Sequence, residues 1–324
     1  MGYMQYIGVT DNGGGFSTFN TIKRNLELVG TSLAASDGTT FRQPASREGK
    51  PMPAARAYHG CAALNGKLYV VGGSGTSTVF VYDPATDAWS SGPSLIATGN
   101  PRVVAAQGLL VAFPVLGGVT TFDPATGSWT QRRGSAIPWP TDEPSFASFH
   151  DQTDDWAGVV VSNLSGGLQV YAFDPAGNRW VTGVALTGQT DRRWFSAVSL
   201  GTNVYVTGGY MQYLMGDNVR KDTVLQDLTT GHWFSLTNSF TDARYSHATA
   251  AVGGKLFVLG GEDVAHYLRS VENYDPATGK WTKLFPLLRP RRHACAAVLN
   301  GKIYVTGGDV GGSTYMDSVE VYQP

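Results

Sequence analysis

The 324-residue sequence predicts an all-β protein assembled from repeated four-stranded units, and three observations carry that prediction. First, a Gly-Gly pair closes an apolar run at Gly72-Gly73, Gly117-Gly118, Gly166-Gly167, Gly208-Gly209, Gly260-Gly261 and Gly307-Gly308, with spacings of 45, 49, 42, 52 and 47 residues. A period in this range marks a repeat architecture. Second, whole words recur: ALNGKLYVVGG, VGGKLFVLGG and VLNGKIYVTGG precede the pairs, and VYDPATDAW, TFDPATGSW, AFDPAGNRW and NYDPATGKW follow them. Third, apolar and β-branched residues run for about four to eight positions between turn signals, which is strand patterning, and no long helix intrudes.

The innermost strand of each unit carries small residues, among them Ala62, Ala63, Ala250, Ala251, Ala296 and Ala297, as crowding near a central axis demands. Asn65-Gly66 and Asn300-Gly301 then make the two-residue turn that needs positive φ at both central positions, and Gly253-Gly254 serves in the equivalent place. The second strand ends in the double glycine, and a variable loop leads to the third. Asp-Pro opens the turn into the fourth, because Asp accepts backbone hydrogen bonds and Pro presets φ. Trp89, Trp129, Trp180, Trp233 and Trp281 follow at a fixed offset, where a large aromatic is expected to pack between units.

Composition narrows the function classes. At 42% hydrophobic and 11% aromatic the chain can bury a core, which excludes a disordered protein. The 24 basic and 25 acidic residues leave a formal charge of -1, so neither nucleic acid nor an anionic membrane surface is an expected partner. No window approaches the roughly 18 apolar residues of a spanning helix. Cys61 and Cys295, 234 residues apart, read as small core residues. Cysteine usage fits cytosol and secretion almost equally, and a cytoplasmic location is the working expectation.

The double glycine, the spaced Tyr and Trp and the four strands per unit resemble the kelch repeat over residues 56–324. The resemblance implies a β-propeller in which each repeat is one blade and strands from both termini close the ring. A period of 47 divides 324 residues into 6.9 slots, which favours seven blades with six as the alternative, all in one domain over 1–324. Residues 56–324 hold six recognisable repeats, and residues 1–55 are expected to be a degenerate first blade or closing strands; in the seven-blade alignment Tyr6–Phe41 forms that blade with Phe41 in the Trp role. Leu228-Thr229 departs from the aromatic-x-Asp-Pro pattern. The last unit stops at VEVYQP, its third strand, so an N-terminal strand must complete it.

The segment before the first strand and the loop after the second emerge on the same face, because the two strands are antiparallel. Arg56, Arg192, Arg244 and Arg291 form one column there, and two positions on stand Tyr58, Trp194, Ser246 and His293. The loops after the glycines add Ser74, Tyr210, Met211, Tyr213, Glu262, Asp263, His266, Asp309 and Tyr315. Guanidinium forks bind carboxylate and phosphate bidentately and aromatic rings anchor apolar groups, so this mouth suits an acidic or phosphorylated peptide. The competing expectation for the arginine column is that it braces the blades.

The resemblance implies a non-catalytic interaction domain of the kind that serves as a ubiquitin-ligase substrate adaptor or a cytoskeletal binder, with no cofactor. The alternative is a propeller enzyme or sugar-binding protein using the same face. The two Tyr, two His and Tyr-linked Cys of a galactose oxidase-like copper site are not visible, since both cysteines fall among alanines. No P-loop, GxSxG elbow, HExxH or dinucleotide fingerprint appears. His59 and His247, each beside an arginine-led strand start, are expected to be structural.

Overall fold

The computed structural model describes residues 33–34, 40–41 and 46–324 except 97, 114–117, 133–144, 151–155, 164–166, 184, 188–191, 212–218 and 313. Within these residues six antiparallel sheets of four or five strands follow one another along the chain, two two-stranded pairs accompany them, and no helix occurs. Blade 1 comprises Gly60–Leu64, Lys67–Val71, Val79–Asp83 and Ala88–Gly92. Blade 2 comprises Arg102–Ala106, Leu109–Phe113, Thr120–Asp123 and Ser128–Gln131, and blade 3 Ser145–His150, Ala157–Asn163, Gly167–Asp174 and Arg179–Thr182. Blade 4 comprises Ser196–Leu200, Asn203–Thr207, Thr223–Asp227 and Trp233–Ser235, and blade 5 Ala248–Val252, Lys255–Leu259, Val271–Asp275 and Lys280–Leu284. Blade 6 supplies only Cys295–Leu299, Lys302–Thr306 and Val319–Tyr322 from its own stretch of chain.

Its fourth strand is Ser46–Glu48, which pairs antiparallel with Val319–Tyr322 in the register Tyr322↔Ser46, Val321↔Arg47 and Glu320↔Glu48. The outer edge left by VEVYQP is thus covered from the N-terminal side, as expected, and Val319–Tyr322 is paired on both sides. Inner strands of successive blades touch all the way round, the sixth against the first. The propeller therefore has six blades, not the favoured seven. Chain length divided by the repeat period overcounts the blades, because Met1–Pro44 is a compact unit of its own, distinct from Ala45–Pro324. In that first unit Phe41 pairs with Leu33 in a short hairpin of Leu33–Ala34 with Thr40–Phe41, instead of taking the Trp place of a blade.

Apolar burial lies between blades. Each of the six hydrophobic clusters joins two neighbours: Phe80 and Tyr82 of blade 1 meet Tyr304 and Val321 of blade 6, and Phe257 and Leu259 of blade 5 meet Ile303 and Tyr322. The repeated tryptophans stand against these clusters, Trp89 at the blade 6–1 junction and Trp129 at the 1–2 junction, as fixed-offset packing predicts. Their indole N–H groups reach back to chain outside the sheet, Trp89 to the Lys50 carbonyl at 3.0 Å and Trp129 to the Pro93 carbonyl at 2.9 Å.

The cysteines overturn the expectation of two separate core residues. Cys61 and Cys295 form a disulfide with Cα atoms 5.9 Å apart. They sit on the innermost strands of blades 1 and 6, which only ring closure makes neighbours. A sequence separation of 234 becomes one strand-to-strand step.

Candidate functional site

The double glycines and the arginine column are two halves of one device. The second glycine of a pair donates its N–H to the carbonyl of the next blade's column arginine: Gly209 to Arg244 at 2.8 Å, Gly261 to Arg291 at 2.8 Å and Gly308 to Arg56 at 2.9 Å. The first glycine has φ of 55–63° and sits so near that carbonyl that a Cβ at Gly208, Gly260 or Gly307 would collide with it. Glycine is required there by close approach as well as by conformation. The arginine side chain turns inward and donates to the first glycine of its own blade: Arg56 to the Gly72 carbonyl at 2.9 Å, Arg244 to Gly260 at 2.9 Å and Arg291 to Gly307 at 2.7 Å.

All four column arginines are buried, at 0–3% exposure. Arg244 meets buried Glu272 at 2.8 Å, Arg291 meets buried Glu320 at 2.7 Å and Arg192 meets Asp222 at 2.6 Å. Arg56 lacks a carboxylate in the equivalent place and lies instead over the Phe80 ring, 4.1 Å from its centroid, where desolvation lowers it to about 10. This is the bracing geometry: the guanidinium forks that pointed to a ligand lie inside the blades.

The rim is made by the column two positions on. Tyr58, Trp194, Ser246 and His293 all adopt left-handed backbone, with φ of 60°, 49°, 53° and 50°. Such φ values cost on the order of 1–2 kcal/mol at a non-glycine residue, and here a chain of backbone bonds holds them. Ser246 donates to the Trp194 carbonyl at 2.8 Å, His293 to Ser246 at 2.9 Å and Tyr58 to His293 at 3.0 Å. Each blade hands one N–H to its predecessor, and the four side chains surround the mouth of an axial cavity of about 440 Å³. Deeper in, alanines of the inner strands line that cavity together with Arg102.

The residue after each column arginine pairs through its backbone with the residue after the double glycine, as Tyr245 with Glu262 and Arg292 with Asp309 do. Two groupings result. Trp194, Tyr210 and Tyr245 pack with ring centroids 5.6–5.7 Å apart, and Trp194 is 48% exposed. Beside them Arg292 bridges two carboxylates, both Glu262 oxygens at 2.7 Å and Asp309 Oδ1 at 2.8 Å, with Tyr267 against its face. Asp309 Oδ2 takes His293 Nδ1 at 2.8 Å, and Tyr58 stacks on the imidazole at 3.9 Å.

Burial pushes Glu262 up despite Arg292. For Asp309 burial acts in the same sense, but hydrogen bonds from Arg292, His293 and the Gly311 N–H outweigh it and hold the carboxyl below its usual value. Burial lowers His293 to about 4 against the opposing pull of Asp309, so the ring is neutral at pH 7. Tyr245 is raised to about 12, by burial first and Glu262 second.

Of the expected mouth residues the structure brings together Tyr58, Trp194, Tyr210, Ser246, Glu262, His293 and Asp309. Ser74 exchanges hydrogen bonds with Ala57 in the matching position of blade 1. Asp263 bonds the backbone of its own loop, and His266 is exposed. Tyr213 lies outside the described residues. Arg292, Tyr245, Tyr267 and Arg102 were missed. The first two had a signal, since they occupy the position that pairs with the post-glycine column. His59 and His247 are buried and bond threonines of the preceding blade, Thr306 and Thr207, each at 2.8 Å. Among the described residues no three His, Cys, Asp or Glu side chains converge as a metal site.

A closed six-bladed ring with double-glycine strand ends defines a kelch-type propeller, and comparison with known proteins agrees. A family described as the KLHDC2/KLHL20/DRC7 Kelch-repeats domain matches residues 155–324, and one described as the Kelch motif matches residues 55–96. The chain belongs to the kelch-repeat family. Kelch-like protein 23 of Mus musculus is 34% identical over 157 residues, covering 48% of this chain and 27% of that protein. Kelch-like protein 36 of Rattus norvegicus is 25% identical over 300 residues, covering 84% and 39% respectively. The chain thus spans well under half the length of these relatives. The solved structure titled "Structure of YjhT" superposes with a TM-score of 0.67 over 85% of this chain and 99% of its own, at 16% identity, a likeness of fold.

Proposed function

We propose that this propeller is a protein-interaction domain whose partner docks a peptide segment on the rim formed by blades 4, 5, 6 and 1. The observation that carries the reading is Trp194: a large ring, 48% exposed, on strained backbone at the edge of the axial cavity, backed by Tyr210 and Tyr245. Exposed aromatic anchors on a rigid scaffold are the usual energetic centre of an interface. Similarity to kelch-like proteins supports an interaction role. The expected acidic or phosphorylated motif rested on Arg56, Arg192, Arg244 and Arg291. With those groups engaged inside the blades, the proposal does not require an acidic partner. For location, the Cys61–Cys295 disulfide favours an oxidising compartment over the cytoplasm.

The test is a selection of displayed random peptides on the purified protein, repeated with Trp194→Ala. A shared motif that loses at least tenfold in affinity in a variant of unchanged melting temperature supports the reading. Binding that ignores Trp194 would move the interface elsewhere.

A further inference from the structure

Resting on that reading, the rim also indicates which kind of group it accepts. Asp309 is held from three sides. Its Oδ1 takes Arg292 Nε at 2.8 Å and the Gly311 N–H at 2.9 Å, and its Oδ2 takes His293 Nδ1 at 2.8 Å. A carboxylate with this set of donors is ionised and can only accept. His293 Nδ1 must therefore carry the proton, and the neutral ring presents Nε2 as a bare lone pair. No protein group among the described residues takes Nε2, while the ring itself lines the cavity mouth. The groups that bear on the imidazole are Asp309, Arg292, Arg102 and the stacked Tyr58, and burial keeps it neutral at pH 7.

We propose that His293 is a specificity-determining residue that accepts a hydrogen bond at Nε2, so that the peptide group inserted between Tyr58 and Trp194 is a neutral donor, an amide or hydroxyl side chain, with Asp309 as the positioning residue that sets this polarity. A carboxylate or phosphate would meet a lone pair there, and is disfavoured. The polarity can be reversed by one atom. In Asp309→Asn the Arg292 and Gly311 donors still claim Oδ1, which turns the amide NH2 toward His293 Nδ1. That nitrogen becomes the acceptor, and the proton moves to Nε2.

The tautomer is read by ¹⁵N spectra of histidine-labelled protein at pH 7, with protonated Nδ1 and bare Nε2 expected in the wild type and the reverse in Asp309→Asn. A wild type protonated at Nε2 overturns the proposal. The peptide selection is run on both proteins. A wild-type motif with an invariant Asn, Gln, Ser or Thr, replaced by Asp or Glu in the Asp309→Asn selection with at least a tenfold change in preference, supports it. An invariant acidic residue in the wild-type motif overturns it and leaves peptide docking standing. If no peptide is enriched, docking fails, and the polarity is decided by titrating acetamide and sodium acetate while following the His293 resonances. Shifts with acetamide support the proposal; preferential shifts with acetate overturn it.

Discussion

Blades 5 and 6 hold their buried arginines with a carboxylate, whereas blade 1 holds Arg56 with a phenyl ring. What stays constant is the set of neutral acceptors. Arg56 bonds the Gly72 and Thr78 carbonyls and Thr78 Oγ1, and Arg244 bonds the matching Gly260 and Ser270 carbonyls and Ser270 Oγ. The carboxylates of Glu272 and Glu320 do a second task, capping the N–H groups of Thr241 and Asp242 and of Leu288 and Arg289 in the incoming loop. In blades 1, 5 and 6 the brace is thus built from repeated backbone, and the charge partner is an addition. Two residues further on, the rim positions share backbone geometry but not chemistry, which is where a partner can be told apart.

The comparison breaks most visibly at Glu272. Glu272→Ala leaves buried Arg244 with only the more distant Asp242 carboxylate, at 3.8 Å, and frees two loop N–H groups, so a loss of about 3 kcal/mol is expected in urea unfolding. A loss no larger than a surface mutation would mean that the neutral acceptors suffice by themselves. Next comes pH. Burial holds His59 at about 3 against an ordinary 6.5, so the folded state stays unprotonated while the unfolded chain takes up a proton. Stability therefore declines as pH falls from 6.5 toward 3, and above 6.5 this group has no effect. His59→Gln should remove about 2 kcal/mol of the decline between pH 7 and pH 5, read from unfolding midpoints at each pH. The smallest effect is expected for Phe80→Glu, which gives Arg56 the partner its counterparts have. Attraction and desolvation nearly cancel for such pairs, so a change of about 1 kcal/mol is expected. A loss as large as that of Glu272→Ala would show that blade 1 is built for the ring stack.

Most of this architecture was legible. Asn-Gly turns, double glycines and Asp-Pro turns each dictate local backbone, and together they specify the blade. The blade count was not, because composition does not reveal that Ala45–Pro324 is one compact unit whose sixth blade is completed by the pairing of Ser46–Glu48 with Val319–Tyr322. The arginine column was legible as a column, but Glu272 and Glu320 lie 28 and 29 residues from their arginines, across a loop of variable length. The rim was legible in its residues and not in its polarity: that His293 accepts depends on Arg292 and Gly311 claiming the other oxygen of Asp309. Arg102 escaped because blade 2 opens with Pro-Arg-Val and lacks the spacing that revealed the other four.

The disulfide turns the propeller into a hoop. From Cys61 through five blades to Cys295 and back across the sulfur bridge, the covalent path encircles the axial cavity without a gap. A single backbone cut in any loop between those residues opens the hoop but releases nothing, so a nicked chain should run as one species on a gel until a thiol is added, and as two afterwards. The circumference is likewise locked: while the bridge stands, no foreign strand or extra blade can be intercalated between blades 6 and 1.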